Sequence, residues 1–148
     1  MPGRIRPIAL CVFKQGDRLL LEENYDAVKK ETFYRPLGGG IEFGEPSRDA
    51  AIREIKEELG AEITNLQLLG IIENIYTYNG QPSHEIAVNY IADLVDQSFY
   101  DRPEIEVNDN GVPSRAFWKY LGDFVDGRYP LYPDGLLDLL LKFEANGA

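Results

Sequence analysis

Three glutamates, Glu54, Glu57 and Glu58, stand at i, i+3 and i+4 in a segment whose apolar residues recur every four positions. At about 100° per residue this spacing puts the three carboxylates within roughly a 100° arc of one helix. Ala51, Ile52, Ile55 and Leu59 fall in the neighbouring arc, so the helix can bury one stripe and present three acids beside it. Like charges so placed cost an isolated helix a few tenths of a kcal/mol per pair. The dipole near the helix C-terminus disfavours anions further. A sequence chosen for helix stability alone does not gather acids there. A divalent cation reverses the sign, and hard oxygen ligands select Mg²⁺ or Mn²⁺ over zinc.

Two neighbouring features sharpen this reading. Glu45 lies just before the helix and Arg53 two turns into it, so an ion pair between them could tie the preceding loop to the helix. On an open surface such a pair is worth under about 1 kcal/mol. Gly38-Gly39-Gly40 lets the backbone adopt conformations other residues resist and approach a ligand closely, although a plain turn explains three glycines as well. Taken together the residues spell one pattern: Gly39, five residues, Glu45, seven residues, then Arg53-Glu54-Ile55-Lys56-Glu57-Glu58-Leu59-Gly60. Its fixed positions would coincide by chance on the order of once in 10⁷ chains of this length. This is the Nudix box, and the chain resembles the Nudix hydrolase family. The one departure is Ala61, where the family has a bulky aliphatic residue; that position packs rather than reacts.

The resemblance implies an α/β/α sandwich with a mixed β-sheet, in which the box forms loop, helix and loop. It implies hydrolysis of a diphosphate linking a nucleoside to another moiety, X, with Mg²⁺ or Mn²⁺. Carried over by motif position, Glu57 and Glu58 are metal ligands, Glu54 is a ligand or general base, the Gly39 carbonyl is a further metal contact, and Glu45 and Arg53 are an orienting pair. In some members the base is an acid in the loop before a Trp-bearing strand. Glu104, Glu106 and Asp109 precede Trp118 here, and Glu85 is another candidate, so the base stays open. Some dinucleoside-polyphosphate members have a Tyr about 16 to 18 residues beyond the box, where this chain has Tyr76 and Tyr78. The Pro of ADP-ribose members is replaced by Tyr76.

For the X group, Phe33 and Tyr34 precede the glycines and could stack on a base or sugar, with Arg35 as a phosphate contact and Tyr78 as a further contact; core packing explains the aromatics too. His84 could polarise a phosphate or be structural, and Cys11 in an apolar run reads as a buried small residue.

The elements that must position these groups follow from pattern. Ile8–Phe13 and Leu19–Leu21, flanking Lys14–Arg18, read as a hairpin. Residues 24–32 read as a loop and Ile41–Phe43 as a short strand. Pro46 to Leu59 is the helix, with proline where a first turn tolerates it and Gly60 at its stop. Two longer strands, Leu66–Tyr78 and Glu85–Val95, precede a polar connection over 96–114, a strand around Trp118, and a helix capped by Asp134 whose leucines 136, 137, 139, 140 and 141 form core.

Length and composition bound the rest. A chain of 148 residues suits one domain, 1–148, that buries roughly 70% of its unfolded surface. One cysteine excludes an internal disulfide and a multi-cysteine zinc site. A net charge of −10 disfavours nucleic-acid polymers and anionic membranes as partners. No apolar run approaches the roughly 20 residues of a membrane span. Met1–Arg6 lacks the marks of a signal peptide, so a cytoplasmic location is expected. The partner expected is a nucleotide-type diphosphate, with a homodimer open. Two competing readings are a nucleotide-binding sensor of the same fold without turnover, and a passive acidic Ca²⁺- or Mg²⁺-binding domain. The complete carboxylate trio argues against the first; the glycines and Arg53 argue against the second.

Overall fold

Strand β1 (Ile5–Gln15) is buried on both sides over its middle, and its alternation sets the layers. Ala9, Cys11 and Phe13 pack with Ala50, Ala51 and Ile55 of helix α1 (Ser47–Leu59). Val12 instead joins Leu136 and Leu140 of helix α3 (Leu136–Ala145) on the opposite side. A strand covered on both faces reads as a continuous apolar run, which is what Ile8–Phe13 is. The computed structural model describes residues 3–147. Met1, Pro2 and Ala148, on which part of the signal-peptide and domain-boundary expectations rest, lie outside the described residues.

The remaining strands are β2 (Arg18–Asp26), β3 (Glu31–Arg35), β4 (Leu37–Gly40), β5 (Ile63–Tyr78), β6 (Gln81–Leu94), β7 (Glu104–Asp109) and β8 (Val112–Tyr120), with a short helix α2 (Leu121–Val125). Their order is β5-β6-β1-β2-β8-β7, with β3 on β2 and β4 on β1. The pairing of β1 with β6 is parallel and the other pairings are antiparallel, which makes the sheet mixed. This is the expected α/β/α sandwich. β1 and β2 pair only at Lys14↔Leu19 and Gln15↔Arg18, after which β1 takes β4 and β2 takes β3 as neighbours. The two halves of the sheet therefore part beyond the hairpin, and α1 packs against β4, β1 and β7 beside the gap.

Several boundaries differ from expectation. Residues 24–32 are mostly strand: β2 continues to Asp26, and β3 begins at Glu31. Asp26 makes this tight turn, its Oδ1 accepting from the Val28 and Lys29 amides. The strand expected at Ile41–Phe43 is the glycine run itself, and Phe43 is fully exposed. The polar stretch 96–114 is not a loop but a 3₁₀ turn (Gln97–Asp101) and the β7–β8 hairpin, closed by Asn110 and Gly111, both at positive φ. Two such residues suit the tight turns that join twisted strands. Pro46 precedes α1 as its N-cap rather than starting it, and Gly60 ends it in the left-handed conformation, its amide bonding Lys56 O at 2.9 Å. Gly135, not Asp134, occupies the N-cap of α3, and Leu141 is exposed. Ile52, placed in the core stripe by periodicity, is 37% exposed, whereas Ala61 is buried. Among the described residues no helix is long and apolar enough to cross a membrane.

Candidate active site

Strand β4 lays Gly38 and Gly39 against the acidic side of α1, and Gly38 in particular has no room for a side chain. Gly38 has φ +144° and its amide donates to Glu58 Oε1 at 2.9 Å; a Cβ would collide with the Ala9 carbonyl. A Cβ on Gly39 would lie 2.6 Å from the Glu54 carboxylate. The close approach that a glycine run permits is thus used to press backbone onto carboxylates.

Arg53 organises the entry to the helix. Its Nε and Nη2 donate to the two oxygens of Glu45 at 2.8 and 2.9 Å, Nη2 also donates to Gly40 O at 2.9 Å, and Nη1 reaches Glu54 at 3.1 Å and Glu57 at 3.3 Å. The expected Glu45–Arg53 pair is therefore present and bidentate, the geometry in which Arg binds a carboxylate most firmly. It ties the loop after β4 to α1. The Arg53 guanidinium, helped by the Glu42 amide, holds the Glu45 carboxyl down at about 2.

The glutamates differ in environment. Glu58 is 7% exposed, and burial, reinforced by Glu22, Glu54 and Asp109, pushes its carboxyl up to about 9. Glu54 is raised by burial too, against the pull of Arg53 and with the push of Glu57 and Asp109. Glu57 is exposed at the rim. Glu22 of β2 is the residue that sequence reading missed. It is buried, its carboxyl is raised mainly by desolvation, and its Oε2 has no hydrogen-bond partner among the described residues. The signal available was alternation: Leu20 faces α1, so Glu22, two residues on, faces the same way.

Alternation also separates the acids before Trp118. Ile105 and Val107 of β7 are buried with α1, and Asp109 continues their parity into the field of Glu22, Glu54 and Glu58. Glu104 and Glu106 have the opposite parity and are exposed, and Glu104 pairs with Arg115. Of the three, Asp109 is the one whose charge bears on Glu22, Glu54 and Glu58. Glu85 is held between two arginines, away from the box glutamates in sequence. It is 3% exposed, with Arg6 at 3.4 Å and Arg35 at 3.6 Å.

Among the described residues no three acidic, His or Cys side chains are already gathered into a cage for a metal; Glu54 and Glu57 lean to Arg53, and Glu58 to the Gly38 amide. The donor set still fits a hard divalent cation. Glu22, Glu54, Glu58 and Asp109 crowd one another's charge, with an unpartnered buried carboxylate oxygen among them. All are oxygen ligands of the kind Mg²⁺ and Mn²⁺ take.

Along β3 beyond Arg35 lies a recess of about 70 Å³, whose lining also carries Asp26, Lys29 and Glu31. The register pairs Glu22 with Arg35 and Asn24 with Phe33, so Arg35 and Phe33 follow Glu22 along one face, and both line the recess with Tyr76 and Tyr78. Tyr34 does not join them, which corrects the expectation of a substrate contact. As the residue between Phe33 and Arg35 it points to the other face, 2% exposed, against Phe124 and Tyr129 with its hydroxyl 2.6 Å from Glu23. His84 sits apart on β6 opposite Ile75, and Cys11 is buried.

Known proteins agree with this architecture. The Nudix hydrolase from Nitrosomonas europaea superposes with a TM-score of 0.68 at 20% identity, covering 97% of this chain and 90% of that one. An ADP-ribose pyrophosphatase from Streptococcus suis gives 0.61 at 18% identity, covering 94% and 91%. Identities this low speak for the fold alone. In sequence, the NAD-capped RNA hydrolase NudC of Pseudomonas putida is 36% identical over 67 residues, 45% of this chain. That match spans about a quarter of NudC, 24%. The NUDIX domain family matches residues 4–126, most of the chain, and the protein belongs to the Nudix hydrolase family.

Proposed function

We propose that the protein hydrolyses a diphosphate bond in a nucleoside diphosphate linked to another moiety, using Mg²⁺ or Mn²⁺. The observation that carries this is the packing of Glu54 and Glu58 against the Gly38–Gly39 backbone, within the field of Glu22 and Asp109 and with one buried Glu22 carboxylate oxygen unpartnered. Glu54, Glu57, Glu58 and the Gly39 carbonyl would hold the ion. Bound there, it offsets the diphosphate charge and acidifies water. The name of the sequence relative, a NAD-capped RNA hydrolase, describes a nucleoside diphosphate joined to a further group.

The chain's own residues then divide the work. Arg35 meets the phosphates beside Glu22, with Phe33 and Tyr78 along the path of the X group. Arg53, clamped by Glu45, sets the orientation of Glu54. The attacking water must lose a proton, to Glu54 or to Asp109. Asp109, on a hairpin tip with no ion pair among the described residues, is the freer of the two.

Purified protein is incubated with Mg²⁺ and nucleoside triphosphates, oxidised nucleotides, dinucleoside polyphosphates, ADP-ribose and nucleotide sugars, with products resolved by ion exchange. Cleavage of one compound within its diphosphate supports the reading and names X. Binding without cleavage across the panel overturns it in favour of a nucleotide sensor.

A further inference from the structure

We infer that Glu85 is a positioning residue: it reaches across the gap between the two halves of the sheet and holds the Arg35 guanidinium ready for the diphosphate of the substrate. This deepens the diphosphate-hydrolysis reading and rests on it.

Arg35 stands where the chain changes halves. It ends β3, which pairs with β2, and Leu37, two residues on, begins β4, which pairs with β1. Gly38, whose amide donates to Glu58 at 2.9 Å, follows three residues after Arg35. Three residues span at most about 11 Å of chain, which keeps Arg35 near the acidic side of α1. Glu22, its register partner on β2, feels its charge.

Glu85 belongs to the other half. Its register partners are Arg6 of β1 and Asn74 of β5, and it is buried. Arg6 Nη1 lies 3.4 Å from Glu85 Oε2, which leaves Oε1 for Arg35 Nη2 at 3.6 Å. One oxygen thus serves the carboxylate's own half of the sheet, and the other faces the opposite half. The Glu85 charge also reaches Tyr76 of β5, whose phenol is raised by burial and then by that carboxylate.

At 3.6 Å the Arg35–Glu85 contact is an ion pair too long for a hydrogen bond. The Arg35 side chain is 25% exposed, so its N–H groups are oriented but not consumed. Arg53 is the contrast, with its fork spent on Glu45, Gly40, Glu54 and Glu57. A guanidinium offers phosphate a planar set of donors, and a side chain ordered in advance loses less entropy on binding. Glu85 also draws Arg35 away from Glu22, whose Oε2 stays without a partner among the described residues. The cation side and the phosphate side of the site are thereby kept from neutralising each other.

The test is steady-state kinetics with Mg²⁺ on the compound cleaved in the panel, for the wild type, Glu85→Gln, Arg35→Gln and the double variant, each checked for folding by circular dichroism. Glu85→Gln should raise KM at least tenfold and change kcat less than threefold, because the diphosphate is gripped in the ground state as in the transition state. In the Arg35→Gln background the same substitution should move KM less than twofold, the non-additivity expected of two residues acting as one unit. Should Glu85→Gln not fold, Glu85→Asp keeps the charge beside Arg6, withdraws it from Arg35 and should raise KM at least threefold. An unmoved or lower KM in the folded variant overturns the inference, as does a KM effect that persists in full without Arg35. A tenfold fall in kcat at constant KM overturns it too, and makes Glu85 the base. If no compound is cleaved, calorimetric titration of inorganic pyrophosphate with Mg²⁺ separates the two readings. Binding that Glu85→Gln weakens tenfold, and only when Arg35 is present, upholds the positioning role while the hydrolase reading falls. Equal binding by the wild type and Glu85→Gln, or none by the wild type, removes the positioning role as well.

Discussion

Glu58 is a carboxyl that the fold without metal keeps protonated. Its pKa stands at about 9 in the folded chain, against an ordinary value near 4.5. Between these limits the folded state binds a proton that the unfolded state has released. Stability is therefore greatest below the unfolded value and falls as pH rises towards the folded one, by about 1.4 kcal/mol per pH unit. At pH 7.5 the ceiling on this loss is about 4 kcal/mol. Glu58→Gln removes the titration while its amide oxygen can still accept from the Gly38 amide at the 2.9 Å position. In chelator-treated protein, Glu58→Gln should match the wild type near pH 5 and exceed it increasingly up to pH 8. For a chain of this size about 2–4 °C per kcal/mol applies, so the melting difference at pH 7.5 approaches 10 °C. The assay is thermal or urea unfolding followed by circular dichroism at half-unit pH steps. Mg²⁺ should then narrow the gap by stabilising the wild type more than the variant, which lacks one of the ligands, as a ligand bound by the folded state does. Parallel stability curves for the two proteins in chelator would refute the reasoning, because they would mean Glu58 ionises in the folded chain at no cost.

Four further outcomes are expected. Glu57→Gln and Glu58→Gln should each lower kcat by two or more orders of magnitude with the fold intact, read by steady-state kinetics on the substrate found in the panel; unaltered kcat in both removes the ligand assignment. Asp109→Asn should cost roughly 10²-fold in kcat if it is the base, whereas Glu106→Gln, on the exposed parity of the same strand, should change kcat less than twofold. Mg²⁺ affinity should strengthen from pH 6 to 9 with release of protons, since Glu54 and Glu58 are both raised and must ionise to ligate; flat calorimetric affinity over that range contradicts it. Gly38→Ala should lower the melting temperature by several degrees, because its φ is +144° and the Ala9 carbonyl occupies the Cβ position, whereas Gly40→Ala, with open space around it, should cost less than a third as much.

The box was legible in the sequence because every part of it is local. Glu54, Glu57 and Glu58 are neighbours by helical period, Gly60 ends the helix within one residue of Leu59, and Glu45 reaches Arg53 across a single turn and two helical turns. The hairpin at Lys14–Arg18 and the β5–β6 pair were legible for the same reason, since turn residues and apolar runs are short-range signals. The acids before Trp118 were visible as residue types. Which one faces α1 depended on recognising a strand there, and polar composition had masked it.

Only the tertiary structure decided what lies across the gap between the two halves of the sheet. Glu22 is 36 residues from Glu58 in sequence, yet β2 and α1 bring the two carboxyls into one electrostatic field, and burial turns two ordinary acids into groups that resist ionising. The same pairing of β2 with β3 parts Phe33 and Arg35 from Tyr34, sending two to the recess and one to the core around α2 and α3, although all three looked alike as residues preceding the glycines. Tyr132 reaches the recess from about a hundred residues beyond Phe33, a contact for which no periodicity exists. Charge proximity and enclosure are properties of folded distance. A chain read in order carries them only where the residues are already close along it.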